Sequence, residues 1–153
     1  MPMQTITIQS DKANLAQVET LLSRFCDENN IGNYFATISV AVLQAAENAI
    51  VHGNHSDPAK NVSVSYGYCN GGVFFEVSDE GEGFDADRYV DLPDTGTVGT
   101  GIFIIRSLAD HVEFSRGGRS VRMEFFIRGI ESSVASARAA TLQKFYMPKE
   151  VQA

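Results

Sequence analysis

Apolar and polar residues recur with regular periods along the first third of the chain, and the periods predict a strand followed by two helices. Residues 5–9 alternate as a half-buried strand does. Ser10 and Asp11 come next, and either side chain can cap a helix. That first helix is predicted from apolar residues at helical spacing, namely Leu15, Val18, Leu21, Leu22 and Phe25. A second helix is predicted over residues 33–51.

Two hairpins are predicted further along. Segments 62–68 and 73–79 are separated by Asn70, Gly71 and Gly72, residue types that accept positive φ. Segments 112–115 and 120–127 flank residues 116–119 in the same way, and a helix is predicted between the hairpins after a glycine-rich stretch. We therefore predict an α/β (α+β) two-layer sandwich, with a mixed, mostly antiparallel sheet and helices on one face.

Length and composition indicate one domain. The chain has 153 residues and 44% hydrophobic content, enough to bury a core. We expect this domain to span residues 1–130, with a terminal helix or tail over 131–153, of which residues 131–145 are rich in Ala and Ser. No uninterrupted apolar run reaches the roughly 18 residues of a membrane span, and the first residues lack a secretory signal pattern. A cytoplasmic location without membrane contact is the expectation.

Charge and metal-ligating residues narrow the function classes. The net charge is −7 and the 12 basic residues are dispersed, which argues against a nucleic-acid partner. Cys26 and Cys69 lie far apart without a second ligand pattern, so both are expected to be reduced core thiols. His52 and His55 lie close together but lack enough further ligands for a zinc site.

The second predicted helix carries a polar stripe. Gln44, Asn48 and His52 are spaced four residues apart, so they share one face of a helix that is otherwise mostly apolar. A solvent-facing stripe is the ordinary alternative. The apolar neighbours leave little solvent face, however, so the stripe is predicted to meet a polar ligand.

Asp79 is the second candidate. It shares strand parity with Val73, Phe75 and Val77, so its carboxylate points toward the core. A buried carboxylate needs hydrogen-bond donors, and the exocyclic amine of adenine is a suitable one. An ordinary turn after a strand is the alternative.

Glycines make up the remaining candidate segments. Gly81 and Gly83 would let the backbone approach a base, and Phe84 would pack beneath the turn. Gly99, Thr100 and Gly101 lead into an apolar helix, and helix N-termini bind phosphate. The polar stretch 84–98 between them is long enough to act as a lid. A helix start without a ligand is the alternative for the last segment.

In this order, the three segments resemble the N, G1 and G2 boxes of the GHKL (Bergerat-fold) ATPase and kinase superfamily, over about residues 5–128. The resemblance implies the histidine-kinase-like ATPase fold and a site for ATP. It assigns magnesium to Asn48, adenine to Asp79 and the ATP lid to 84–98. Magnesium also fits an acidic chain that must hold a polyphosphate.

One position departs from the family pattern. Members that activate a nucleophile often carry Glu four residues before the magnesium-binding Asn, where this chain has Gln44. A neutral amide cannot accept a proton as a carboxylate can. Glu47 is the other candidate catalytic residue, but it is rotated by about 100° from Asn48, and a surface carboxylate is an equally good interpretation.

Within the superfamily, the chain looks most like the stand-alone anti-sigma-factor serine-protein kinases. This resemblance implies a sigma factor and a STAS-domain anti-anti-sigma protein as partners, and a homodimer. Three hypotheses follow: a kinase that phosphorylates a partner hydroxyl, a nucleotide-sensing binding module without turnover, and an adaptor whose nucleotide pocket has degenerated.

Overall fold

A computed structural model describes residues 3–83 and 97–127 of the chain, of which residues 97–99 are described by their backbone alone. Three α-helices and five β-strands make up the described part. In chain order they are β1 (Gln4–Gln9), α1 (Leu15–Glu28), α2 (Phe35–Asn48), β2 (Asn61–Cys69), β3 (Gly72–Ser78), α3 (Thr97–Leu108), β4 (His111–Ser115) and β5 (Ser120–Phe126). Short 3-10 turns precede α1 and α2, and another, Arg116–Gly118, joins β4 to β5.

The five strands form one sheet in the order β1-β2-β3-β5-β4. Every pairing between them is antiparallel, including the pairing of β3 with β5 that encloses α3 in the sequence. The fold-class prediction is confirmed, and the described part of the sheet is antiparallel rather than mixed. Both predicted hairpins are present, and the first turns at Gly71, whose φ is +87°.

The helices cover one face of the sheet. Alternate residues of the strands point to this face and are apolar, and the apolar sides of the helices pack on them. At the centre lies an aromatic cluster in which Phe75 contacts Phe25 and Phe125 edge-on, with ring centroids 5.5 and 6.3 Å apart. Tyr66, the cross-strand neighbour of Phe75, stacks on it with ring centroids 6.0 Å apart. Phe75 is fully buried, so this cluster fixes α1 on the middle strands.

The opposite face carries mainly polar side chains, together with Phe74 and Phe126. Ser78 and Ser120 share a hydrogen bond of 2.8 Å across β3 and β5, and the Ser120 hydroxyl also donates to Glu76 at 2.9 Å. Nearby, the Arg122 guanidinium lies 3.9 Å from the centre of the Phe74 ring. This composition explains why the helical layer forms on one side of the sheet.

Asp11, one of the two predicted caps, is the residue that caps the turn before α1. Its Oδ1 accepts the amide of Ala13 at 2.9 Å. Ser10 is buried instead, and its hydroxyl donates to the carbonyl of Lys60 at 2.7 Å. The cap and the buried hydroxyl therefore have separate roles at the end of β1.

The second helix ends differently from an ordinary α-helix. After Asn48 the backbone widens into a π-turn, Ala49–Gly53, and the Asn54 amide closes it by donating to the Ala49 carbonyl at 2.8 Å. Within the described residues, the helical run Gly32–Gly53 is long and apolar enough to cross a membrane by length and composition alone. Its buried residues pack on the sheet here, and core helices pass the same test.

The start of the third helix corrects one detail of the prediction. The sequence suggested that the glycines precede the helix, but α3 begins at Thr97. Gly99, Thr100 and Gly101 therefore lie inside its first turns. Phe84, most of the predicted lid (84–96 of 84–98) and the predicted tail over 131–153 lie outside the described residues.

We expect Phe75→Ala to lower the free energy of unfolding by about 3–5 kcal/mol, because it empties the centre of the aromatic cluster. Phe126→Ala is the matched control, since Phe126 lies on the neighbouring strand and is 50% exposed. Urea unfolding followed by circular dichroism measures both changes. Equal losses in the two variants would contradict this description of the core.

Candidate functional site

Residues from all three sequence segments line one cavity of about 200 Å³, and the third segment reaches it through Ile102 and Ile105 rather than through Thr100 and Gly101. Its wall is built from α2 with the π-turn, the end of β3 with the turn after it, α3, and the β4–β5 hairpin. Much of the wall is apolar and includes Val77, Ile102, Ile105, Phe114 and Val121. A more open hollow of about 470 Å³ at the other end of α2 holds none of the predicted site residues.

Asp79 brings a carboxylate into this apolar cavity. It follows β3 directly and is half-buried, as its strand parity predicts. Its backbone amide donates to the Arg119 carbonyl at 2.9 Å, and its Oδ1 accepts the Gly81 amide at 2.8 Å. The turn after β3 is thus anchored to the β4–β5 hairpin.

Burial raises the pKa of Asp79 above its ordinary value of 3.8. The Gly81 amide opposes this rise, and so do the positive charges of Arg119, Arg116 and Lys60. Desolvation is the larger effect. Keeping the ionised carboxylate half-buried therefore costs free energy when no ligand donates a hydrogen bond to it.

The π-turn presses directly on Asp79. A Cβ atom added to Gly53 would lie 2.5 Å from both Cγ and Oδ2 of Asp79, closer than side-chain carbons come to other atoms. The carbonyl of Gly53 in turn occupies the space that a Cβ on Gly81 would need. Glycine is therefore required where the end of the helix meets the turn after the strand.

Gly81 and Gly83 differ in their places. Gly81 packs against Gly53, while Gly83 lines the cavity with a φ of +85°. A Cβ on Gly83 would meet the Gly117 carbonyl of the hairpin. Both glycines thus allow close contact between backbones around the cavity.

The polar stripe of α2 divides between the cavity and a helix interface. Asn48 and His52 line the cavity, whereas Gln44 does not. The Gln44 amide donates to Asn48 Oδ1 over 3.5 Å, a long hydrogen bond. A Cβ on Gly101 would lie 2.7 Å from Asn48 Nδ2 and 2.8 Å from Gln44 Nε2, so the glycine lets α3 approach these amides.

Glu47, the other candidate catalytic residue, lies away from the cavity wall. Its carboxylate pairs with the Lys12 ammonium at 3.5 Å, and its side chain is 41% exposed. Lys12 belongs to the turn before α1. The structure therefore places Glu47 as a surface carboxylate, the alternative that the sequence left open.

Asn54 lies behind the cavity wall and holds it in place, and the sequence did not identify it. It is fully buried directly behind the π-turn. Its Nδ2 donates to Ser10 Oγ at 2.9 Å and to the Asn61 carbonyl at 3.0 Å, and its Oδ1 accepts the Glu80 amide at 2.8 Å. An Asn after Gly at a helix end signals only a turn, so these contacts have no local signature.

Arg119 is a site residue that the sequence did not identify. It lines the cavity opposite the helices, and its Nε donates to the Arg116 carbonyl at 2.9 Å. The hairpin thus brings positive charge to the rim of a cavity in an acidic chain. The sequence predicted the hairpin from its glycines but gave no reason to place it at the site.

Whether the described side chains could bind a metal ion depends on how they are grouped. Across residues 3–83 and 97–127, no group of three or more His, Cys, Asp and Glu side chains is arranged to hold a metal ion. Asn48 lines the cavity, and its Oδ1, which accepts the long hydrogen bond from Gln44, is a ligand type that magnesium accepts. The donor set therefore fits magnesium that is bound mainly through a ligand's phosphates and water.

Comparison with solved structures gives the same fold. The chain is similar to the histidine kinase domain from the Erythrobacter litoralis EL346 blue-light activated histidine kinase, with a TM-score of 0.51 and 18% sequence identity. The match covers 88% of this chain and 64% of that one, so the chain spans less than two thirds of its length.

Sequence comparison supplies the family. No curated protein gives a significant match. The family model of the histidine kinase-like ATPase domain matches residues 8–125, which include all three segments of the cavity wall. Because that match covers most of the chain, the protein belongs to the histidine kinase-like ATPase family.

Proposed function

We propose that this chain binds ATP in the cavity between α2, α3 and the sheet. The position of Asp79 is the observation that carries the proposal. Its half-buried carboxylate lies at an apolar wall and needs hydrogen-bond donors, of which the protein supplies only some. Gly81 engages Oδ1. We assign Oδ2 to the exocyclic amine of adenine, and the apolar wall to the faces of the base.

The phosphates would lie toward the N-terminus of α3. The first turn of a helix presents amide groups and the positive end of its dipole to anions. Ile102 and Ile105 place this helix on the cavity, and Gly101 brings it against Asn48. Asn48 would hold magnesium, which when bound would neutralise phosphate charge and orient the terminal phosphoryl group.

As the reaction, we propose transfer of the γ-phosphoryl group to a serine or threonine hydroxyl of a partner protein. The hydroxyl oxygen would attack in line, the bond to the bridging oxygen would break, and ADP would leave. The residues of this chain would contribute by holding the base and phosphates in place, since phosphoryl transfer depends mainly on positioning and electrostatics.

The biological setting that we propose is a cytoplasmic partner-switching system. The chain would act as a homodimeric anti-sigma factor, with a STAS-domain protein as phosphoacceptor. Support for this setting comes from the resemblance of the three boxes to those of the stand-alone anti-sigma-factor kinases, and the family match over residues 8–125 supports the ATPase domain alone.

A second candidate function is a nucleotide-sensing module that sequesters its partner without turnover. Gln44 cannot serve as a base, and Glu47 is engaged with Lys12 away from the cavity. Among the described residues of α2, these two were the candidates for activating a hydroxyl. This observation favours binding without transfer.

We expect Asp79→Asn to weaken ATP binding by about 10- to 100-fold, because a hydrogen bond to a charged group contributes about 1.5–3 kcal/mol. Isothermal titration of magnesium-ATP measures the change. Glu80→Gln is the matched control, since it removes the adjacent but exposed carboxylate and should change the affinity less than about twofold. Unchanged affinity in Asp79→Asn, or no binding by the wild-type protein, would overturn the proposed site.

Asp79 also predicts how the stability of the free protein depends on pH. Its pKa is raised in the folded state, so its contribution to stability is fully present below about pH 3.8 and is lost as pH rises through the folded pKa. Asp79→Asn imitates the neutral form. Without nucleotide, the variant should be at least as stable as the wild type at pH 8, and its relative advantage should shrink as the pH falls. Calorimetric melting of both proteins between pH 8 and about pH 3.8 measures the difference in stability. A stability advantage of Asp79→Asn that grows as the pH falls would contradict the raised pKa of Asp79.

Phosphotransfer separates the two candidate functions. If the chain is a kinase, radiolabel from γ-labelled ATP should reach a STAS-domain partner, and Asn48→Ala should lower the rate at least about 100-fold. If the chain is a binding module, the wild type should give no transfer, and Gln44→Glu should create or sharply raise it. Robust wild-type transfer rejects the binding module, and transfer that survives Asn48→Ala rejects the assigned role of Asn48.

A further inference from the structure

We propose that Asn54 is a positioning residue that fixes Asp79 and thereby sets the preference of the cavity for adenine over guanine nucleotides. This inference rests on the proposed ATP site and adds a specificity determinant to it. Asn54 itself does not line the cavity.

Asn54 connects three parts of the chain that meet behind the cavity. Its Nδ2 donates one hydrogen bond to Ser10 Oγ, after the end of β1, and another to the carbonyl of Asn61, at the start of β2. Its Oδ1 takes the amide of Glu80 at 2.8 Å. The side chain is 0% exposed, so solvent cannot replace any of these partners.

The turn that carries Asp79 is held through three consecutive backbone amides. Asp79 donates to the Arg119 carbonyl, Glu80 to Asn54 Oδ1, and Gly81 to Asp79 Oδ1. The middle amide is the one held by a buried side chain. If it is released, the Gly81 amide is no longer fixed against the carboxylate, and Asp79 gains freedom to rotate.

Asparagine has the combination of groups that this position needs. It supplies two donor hydrogens and one acceptor oxygen in a single planar amide. Aspartate would keep the acceptor but bury a charge and lose both donors, and leucine would make none of the hydrogen bonds to Ser10, Asn61 and Glu80. The side chain of Glu80 is exposed, so the contact reaches Asp79 through the backbone of Glu80.

A fixed carboxylate distinguishes the two purines by the group at position 6. Adenine presents an amine that donates, whereas guanine presents an oxygen that would face the carboxylate as a second acceptor. Sites built to pair with one polar group discriminate strongly because a mismatch leaves buried groups unpaired. The discrimination depends on how little Asp79 can turn away, and hence on Asn54.

The test compares the affinities for ADP and GDP by isothermal titration in the wild type, Asn54→Ala and Ser10→Ala. We expect Asn54→Ala to lower the preference for ADP over GDP by about tenfold or more, which corresponds to about 1.4 kcal/mol. Ser10→Ala is the matched control. It removes another buried member of the same network but keeps the bond from Glu80 to Asn54, so both variants lose thermal stability while Ser10→Ala keeps the preference.

A pH profile of ADP affinity provides the readout that a purely structural role would not change. Wild-type affinity should fall as the pH drops through the pKa of Asp79, which the Gly81 amide holds down against the effect of burial. Asn54→Ala should shift this midpoint to higher pH, and Ser10→Ala should leave it in place. Arg116, Arg119 and Lys60, which act on Asp79, and His52 in the same cavity are unchanged in all three proteins.

An unaltered preference and midpoint in folded Asn54→Ala would overturn the role of Asn54 while leaving the ATP site intact. Equal binding of ADP and GDP by the wild type would also overturn the role of Asn54 and leave the ATP site intact. Failure of the wild type to bind either nucleotide would overturn the proposed function itself, and this inference with it. If Asn54→Ala does not fold, Asn54→Ser, which leaves a smaller cavity, takes its place under the same criteria.

Discussion

The contact between Gly53 and the Asp79 carboxylate is the constraint around which the site is arranged. It joins the end of the central helix to the end of the central strand with no room for a side chain at position 53. The carboxylate is thereby kept half-buried against apolar neighbours, where it is costly to the free protein. Binding sites commonly keep such a cost because the ligand relieves it.

The π-turn explains how this contact coexists with a polar stripe on the same helix. Widening the last turn moves Gly53 and Asn54 away from the positions that a regular helix would give them. Gly53 then meets Asp79, and Asn54 enters the interior to bond Ser10, Asn61 and the Glu80 amide. Asn48, before the turn, lines the cavity from the regular helix. The widened turn thus places Gly53 and Asn54 around Asp79, while the regular helix before it supplies Asn48 to the cavity wall.

The sequence predicted most of the fold because its signals are local. Strand alternation, helical spacing and glycine turns gave the hairpins, the first two helices and the parity of Asp79. The contribution of Asn54 was not predicted, because Ser10 and Glu80 lie in distant parts of the chain and buried amides follow no short period. Arg119 was not predicted, because the cavity that it lines is formed with residues of distant segments. The start of α3 was placed too late because glycine usually weakens a helix, whereas here Gly101 is needed for close packing against Gln44 and Asn48.

The strand order has a consequence for folding. The cavity wall uses residues from α2 through β5, and the central strand β3 is completed only when β5 returns beside it after α3. Such long-range pairing costs loop-closure entropy before any contact forms, so the chain is expected to assemble this cavity late and to lose it early. A nucleotide bound there would therefore stabilise the whole cooperative unit rather than one segment, and would slow its global opening.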